Sequence, residues 1–262
     1  MRLTITLTSD FGLKDPYVAE MKGVILSINP DATVVDITHQ IGKFDIRAAA
    51  FALASAIPYF PDGTVHLAVV DPGVGTERRA IVVQTKRGFF VGPDNGILVL
   101  AAQSQSIKHV YMLTNPKFMM PMISGTFHGR DIFAPATAFL DKGIRPAEFG
   151  PEVKDPITPE FTKVKFSSGS LTGEVLEVDG FGNVITNINE KDAFFKEGKT
   201  FDVESAIAKL KIPFGKTYAQ AKPKEPIILI GSHGFLEIAL NQESAAEKFH
   251  LKSGDKIKIK ID

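Results

Sequence analysis

The sequence predicts an α/β N-terminal domain on a largely parallel central sheet, followed by a smaller all-β, barrel-like C-terminal domain. Three observations carry this: strand-like and helix-like stretches alternate through the first half, a proline-rich stretch without periodicity follows, and short β-rich runs fill the remainder. The boundaries read as residues 1–150 for the first domain, 151–166 for a linker and 167–262 for the second.

The period-two run Leu3–Ser9 reads as a strand, Tyr17–Ile28 as a helix stopped by Asn29-Pro30-Asp31, and Thr33–Ile37 as a second strand. Ile46–Ile57 reads as a helix that Pro58, Pro61, Asp62 and Gly63 turn into the strand Thr64–Val70. Further strands are expected at Ala80–Gln84 and Val110–Leu113, with helices near Ile97–Ala102 and Ile132–Leu140. This rhythm makes βαβ units, whose strands run parallel because each crossover returns the chain to the same edge. Between Gly143 and Pro159 prolines recur with few large apolar residues, the composition of an extended connector. Beyond it, Ser170–Val178, Asn183–Ile188, Pro226–Ile230, Phe235–Leu240 and Lys256–Ile261 are spaced as in a small antiparallel barrel or sandwich.

Composition narrows the function classes. The 262 residues are 44% hydrophobic and 23% charged, as in globular proteins, and 30 basic residues balance 30 acidic ones. No net field draws in nucleic acid or an anionic membrane, so partners are recognised locally. The absence of cysteine removes disulfides, thiolate metal sites and a cysteine nucleophile. The longest nearly apolar stretch, Ala48–Ile57, is half of the roughly 20 residues a membrane-spanning helix needs. The N-terminal residues alternate and reach Asp10 where a signal peptide is continuously apolar, so a cytoplasmic protein is expected.

Five segments have the residue types for chemistry. Thr8-Ser9-Asp10-Phe11-Gly12 ends the first strand, where a carboxylate either accepts hydrogen bonds from a ribose diol or caps a turn. In Val69-Val70-Asp71-Pro72-Gly73-Val74-Gly75-Thr76-Glu77-Arg78-Arg79 an acid, a glycine turn and a guanidinium either return to one pocket or form a surface pair. This turn has neither the P-loop lysine nor the GxGxxG spacing. His128, before the helix at Ile132, is either a loop histidine or an imidazole held near a helix N-terminus to titrate near neutrality. The six histidines (39, 66, 109, 128, 233 and 250) include no pair at i, i+2 or i, i+4, so no catalytic metal is expected. The segments 178–188 and 231–241 set glycines among amide, hydroxyl and carboxylate groups at strand edges, suited to hairpin turns or to reading a purine edge or an amino-acid zwitterion.

Taken together, TSDFG at 8–12, VVDITHQI at 34–41, VVDPGVGTERR at 69–79, GPDNGIL at 92–98, TFHGRDIFAPA at 126–136, DGFGNVITNI at 179–188 and GSHGFLEIALN at 231–241 resemble one family. It is the S-adenosyl-L-methionine (SAM) hydroxide adenosyltransferase family, the adenosine-forming SAM hydrolases, related to fluorinase and chlorinase enzymes. The resemblance spans both domains and implies a C-terminal β-barrel and a homotrimer, with SAM sites between one subunit's N-terminal domain and its neighbour's C-terminal domain. It implies SAM as substrate, adenosine and L-methionine as products, and no cofactor. Residue by residue, it places the Asp-Arg-His catalytic set on Asp71, Arg78 and His128 and the ribose-holding aspartate on Asp10. Phe181 matches a ring lying against adenine and Asn183 the amide reading its edge. Asp179 and Ser232 fall where the methionine amino and carboxylate groups are held, and Glu237 and Asn241 lie in the matching substrate-binding strand.

The implied reaction is attack of water on the ribose C5′, in which the departing methionine is a neutral thioether that needs neither a proton nor a metal. Two alternatives remain: halide transfer on the same fold, and binding of SAM or adenosine without turnover. Halogenating relatives have tyrosine in place of Asp71, and fluorinase-like members a serine in place of Gly129, although some chlorinating members share that glycine. A carboxylate facing the nucleophile repels a halide and accepts hydrogen bonds from water, which favours hydrolysis. A pure sensor has no use for a water-activating set.

Overall fold

The computed structural model describes residues 4–193, 195–207 and 209–261; Leu3, the expected start of the first strand, lies outside them. The chain forms two compact units that divide between Thr158 and Pro159.

In the first unit β1 (Thr4–Ser9), β2 (Thr33–Thr38), β3 (Val65–Val69) and β5 (Phe89–Pro93) pair in parallel. Strand β4 (Ala80–Thr85) runs antiparallel to β5 and to β6 (Ile107–Met112), giving the order β2-β1-β3-β5-β4-β6. Ile5 and Leu7 of β1 pack with Met21 and Ile25 of α1 (Tyr17–Ile28) and with Ala134 and Ala138 of α4 (Ala134–Asp141), all removed from water. Helices α2 (Ile46–Ala56) and α3 (Val99–Ser104) pack on each other, and Asp45 caps α2 by accepting the Ala48 N–H at 2.9 Å. Because β1, β2 and β3 are parallel, the loops after them share one rim, the edge at which ligands bind in open parallel sheets.

Two features depart from the sequence expectation. Strand β5 was not among the strands expected; it contains Gly92, where the backbone of β3 comes so close that a Cβ would lie 2.4 Å from the Ala68 carbonyl oxygen. The expected helix Ile132–Leu140 begins instead as a π-turn over Gly129–Phe133, with α4 following from Ala134. Such single π-turns recur at functional sites. The segment 155–157 is tied to this unit: buried Asp94 accepts the Arg79 Nε–H at 2.7 Å and the Ile157 N–H at 2.9 Å.

The second unit is one antiparallel sheet in the order β11-β10-β14-β8-β9-β13-β12, where β8 is Ser170–Val178, β9 Val184–Asn189, β10 Thr200–Glu204, β11 Lys209–Pro213, β12 Pro226–Ile230, β13 Phe235–Leu240 and β14 Lys256–Lys260. The short β7 (Lys165–Ser167) pairs with β8. The Gly215 N–H donates to the Ile228 carbonyl at 2.9 Å, which brings the chain after β11 to β12 and nearly closes a barrel. Alternation fills it: Leu171, Phe201, Val203, Ile212, Ile257 and Ile259 are buried, while the lysines of β14 face water. The strands β7, β10 and β11 and the short helix α5 (Ala245–Phe249) were not expected from the sequence. Among the described residues no helix is long and apolar enough to cross a membrane.

Candidate active site

At the rim of the first unit, the loops after β1, β2 and β3 and the turn before α4 surround a cavity of about 410 Å³, lined in part by Asp10, Lys43, Asp71 and His128. Asp71 stands two residues past β3. Its carboxylate accepts the Arg78 Nε–H at 3.0 Å on each oxygen and the Nη2–H at 2.5 Å on Oδ2. The two side chains keep 6% and 11% of their exposure, so this is a nearly desolvated pair and not the surface pair that the spacing also allowed. The same Nη2 lies 2.8 Å from His128 Nδ1. A guanidinium can only donate, so Nδ1 accepts and the neutral imidazole carries its proton on Nε2. Arg78 itself rests over the Phe133 ring, 5.0 Å from its centroid.

The loops that hold these groups meet backbone to backbone. Gly75 has φ +77°, and a Cβ there would lie 2.2 Å from the Gly125 carbonyl oxygen. The turn before α4 is fixed from within: buried Asp131 accepts the Ser124 N–H at 2.8 Å and the Arg130 Nε–H at 2.7 Å, while Arg130 reaches Glu20 at 2.8 Å. Asp10, also buried, accepts the Phe44 N–H at 2.9 Å on Oδ2, and Lys43 donates to its main-chain carbonyl at 2.5 Å.

His128 is held below its ordinary value, the opposite of a shift toward the charged form. Burial, and then the Arg78 charge, push it below 6.5, against smaller opposing effects of Asp71 and Asp131. With the folded value depressed, the folded imidazole gains its proton at lower pH than the unfolded one does; its contribution to stability is present above 6.5 and declines beneath. Protonation makes Nδ1 a donor facing a guanidinium and breaks the contact. We therefore expect turnover to fall on the acid side with a midpoint below 6.5, with that acid limb absent in His128→Asn; an unchanged limb in the variant assigns it to another group.

In the second unit Asp179, Phe181 and Asn183 come together on one turn. Asp179 Oδ1 accepts the N–H groups of Phe181 and Asn183, each at 2.9 Å, and Oδ2 accepts the Asn183 side-chain amide at 2.9 Å. The three line a cavity of about 600 Å³ whose wall also includes Tyr218, and the Phe181 ring is 84% exposed. Ser232, Glu237 and Asn241 do not line it. Buried Glu237 accepts the Tyr218 hydroxyl at 2.7 Å, and Asn241 donates to the Ala221 carbonyl at 2.7 Å, so both brace the wall. Burial and then Glu237 raise the Tyr218 phenol, which remains a donor. Tyr218 escaped the sequence reading because it is a single aromatic in an irregular stretch, without periodicity or motif.

Among the described residues no group of three or more His, Cys, Asp or Glu side chains is placed to hold a metal ion. The family model described as the SAM hydroxide adenosyltransferase N-terminal domain matches residues 5–150, and its C-terminal counterpart matches 173–258. The chain belongs to the SAM hydroxide adenosyltransferase family. It is 40% identical to the (R)-S-adenosyl-L-methionine hydrolase of Thermus thermophilus, over 96% of this chain and 97% of that one. The protein of the same name from Methanocaldococcus jannaschii is 38% identical, over 97% and 95%. A fluorinase from an Actinoplanes species is more distant, 29% identical over 95% of each chain. Among solved structures, an uncharacterized conserved protein from Thermotoga maritima superposes with a TM-score of 0.87 at 37% identity, covering 98% of this chain and 99% of that one.

Proposed function

We propose that this chain hydrolyses SAM to adenosine and L-methionine by attack of water on the ribose C5′, in line with the departing sulfonium sulfur. The observation that carries the reading is the direct joining of Asp71, Arg78 and His128 at the rim that also holds Asp10. A C–O bond forms, the C–S bond breaks with its pair neutralising the sulfonium, one water proton stays on the new 5′-hydroxyl, and the other passes to a protein base and from it to solvent.

Arg78 holds both partners and takes no proton. While it donates to His128 Nδ1, the imidazole has no free lone pair for the water proton and offers Nε2–H as a donor that orients the oxygen. Asp71 Oδ2 accepts both the Nε–H and the Nη2–H of Arg78, but Oδ1 accepts only the Nε–H and keeps a second lone pair, which makes Asp71 the acceptor of the proton. Asp10 binds the ribose hydroxyls. Phe181 and Asn183 read the adenine, Asp179 and Ser232 hold the methionine amino and carboxylate groups, and Glu237 and Asn241 brace that half of the site. No metal or cofactor takes part, because a neutral thioether leaves without help.

We further propose a homotrimer in which the adenine-reading half comes from a neighbouring subunit. Supporting it are Phe181, Tyr17 and Phe44, large rings left 84%, 44% and 66% exposed at the two cavities. A molar mass of about three chains in light scattering is the expected result, and a monomer at working concentration removes the proposal.

Incubation with SAM tests the activity. Adenosine is expected in chloride-containing, chloride-free and chelator-treated buffer alike. A 5′-chloro product that requires chloride assigns halide transfer, absence of product assigns a binding role, and loss on chelation restored by a divalent cation overturns the metal-free reading.

A further inference from the structure

The segment VVDITHQI at 34–41 has no part in the reaction as derived, yet it sets a buried imidazole against Ser9, the neighbour of Asp10. His39 follows β2 and is 3% exposed, and its Nδ1 lies 2.7 Å from the hydroxyl of Ser9, which has no exposed surface. The Phe11 N–H donates to that hydroxyl at 3.3 Å, and the Gly12 N–H donates to the His39 carbonyl at 2.7 Å. Both ends of residue 10 are thus tied to one histidine. On its other side His39 Nε2 lies 3.1 Å from Asp36 Oδ1, out of line for a hydrogen bond but close enough that a lone pair there would face a carboxylate. The proton therefore sits on Nε2, and Ser9 donates to Nδ1. Lys22, 2.6 Å from Asp36 Oδ2, completes the row. The order Ser–His–Asp matches a hydrolase triad, but a hydroxyl sealed from solvent reaches no substrate.

We propose that His39 is a positioning residue for Asp10, acting through the buried Ser9 hydroxyl to hold the Asp10 carboxylate where it meets the ribose diol. The inference rests on the assignment of Asp10 to the ribose. Asp10 is buried and takes its side-chain hydrogen bond from Phe44 N–H, so its aim depends on how the main chain around it is held. Without the imidazole the Ser9 hydroxyl loses its acceptor, and the turn from Ser9 to Gly12 is held to this segment only by the main-chain bond from Gly12 N–H to the residue 39 carbonyl.

The test compares kcat/KM for SAM with that for its 2′,3′-dideoxy analogue. Asp10→Ala is expected to bring the ratio toward one. His39→Ala is expected to lower it about tenfold, mainly through KM, as for a lost ground-state contact. His39→Asn, whose amide oxygen reaches the place of Nδ1, is expected to restore it. Ser9→Ala is the smaller cut, expected to act like His39→Ala and decisive should that variant not fold. If the Ser9 and His39 variants weaken both substrates by the same factor, or neither, the pair is structural and the proposal fails. If instead Asp10→Ala keeps the full ratio, the ribose assignment fails first and the proposal with it.

Discussion

Asp71→Asn is expected to lower adenosine formation by about 10²–10⁴-fold while leaving the fold intact. The substitution is nearly isosteric, and the amide oxygen can still accept one of the Arg78 bonds that now reach both carboxylate oxygens. What disappears is the negative charge and the one group of the three with a free lone pair for the water proton. His128 cannot take over, because its Nδ1 is occupied by Arg78 and its Nε2 carries hydrogen. Binding of SAM is expected to change far less than kcat, since the loss falls in the transition state. Steady-state kinetics with circular dichroism decides it: a folded variant turning over at near the wild-type rate removes the carboxylate from the mechanism.

Arg78→Met is expected to do two things at once. It leaves the Asp71 carboxylate, 6% exposed, without its cation, and breaking a buried pair from one side typically costs about 3–5 kcal/mol. It also releases His128, whose Nδ1 is then free to adopt either tautomer. A marked loss of thermal stability together with loss of activity is expected. Arg78→Lys is expected to recover part of the stability and little of the activity, because one ammonium cannot reproduce the fork that reaches Asp71 and His128 together. If Arg78→Met keeps wild-type stability and turnover, the guanidinium is not the link between the acid and the imidazole.

The legible parts of the sequence were those with local signatures. Helix α1 (Tyr17–Ile28) has the expected ends because Asn29-Pro30 stops it, and β12 and β13 lie where the apolar runs sit. The segments holding Asp71, Arg78 and His128 stood out by motif, although only the folded chain shows that the three side chains join and which atom of each faces the next. Strands β5, β10 and β11 are five residues each, too short for alternation to stand out from loops. The π-turn over Gly129–Phe133 has no pattern of its own. The roles of Tyr218 and Ser9 depend on contacts 19 and 30 residues away in the chain, beyond the reach of local patterning.

The contact of Gly75 with the Gly125 carbonyl has a broader consequence. The loops that position Arg78 and His128 meet there main chain to main chain as well as through those two side chains, so peptide geometry sets part of their separation. A methyl group at position 75 would force the two loops apart and with them the guanidinium and the imidazole they carry.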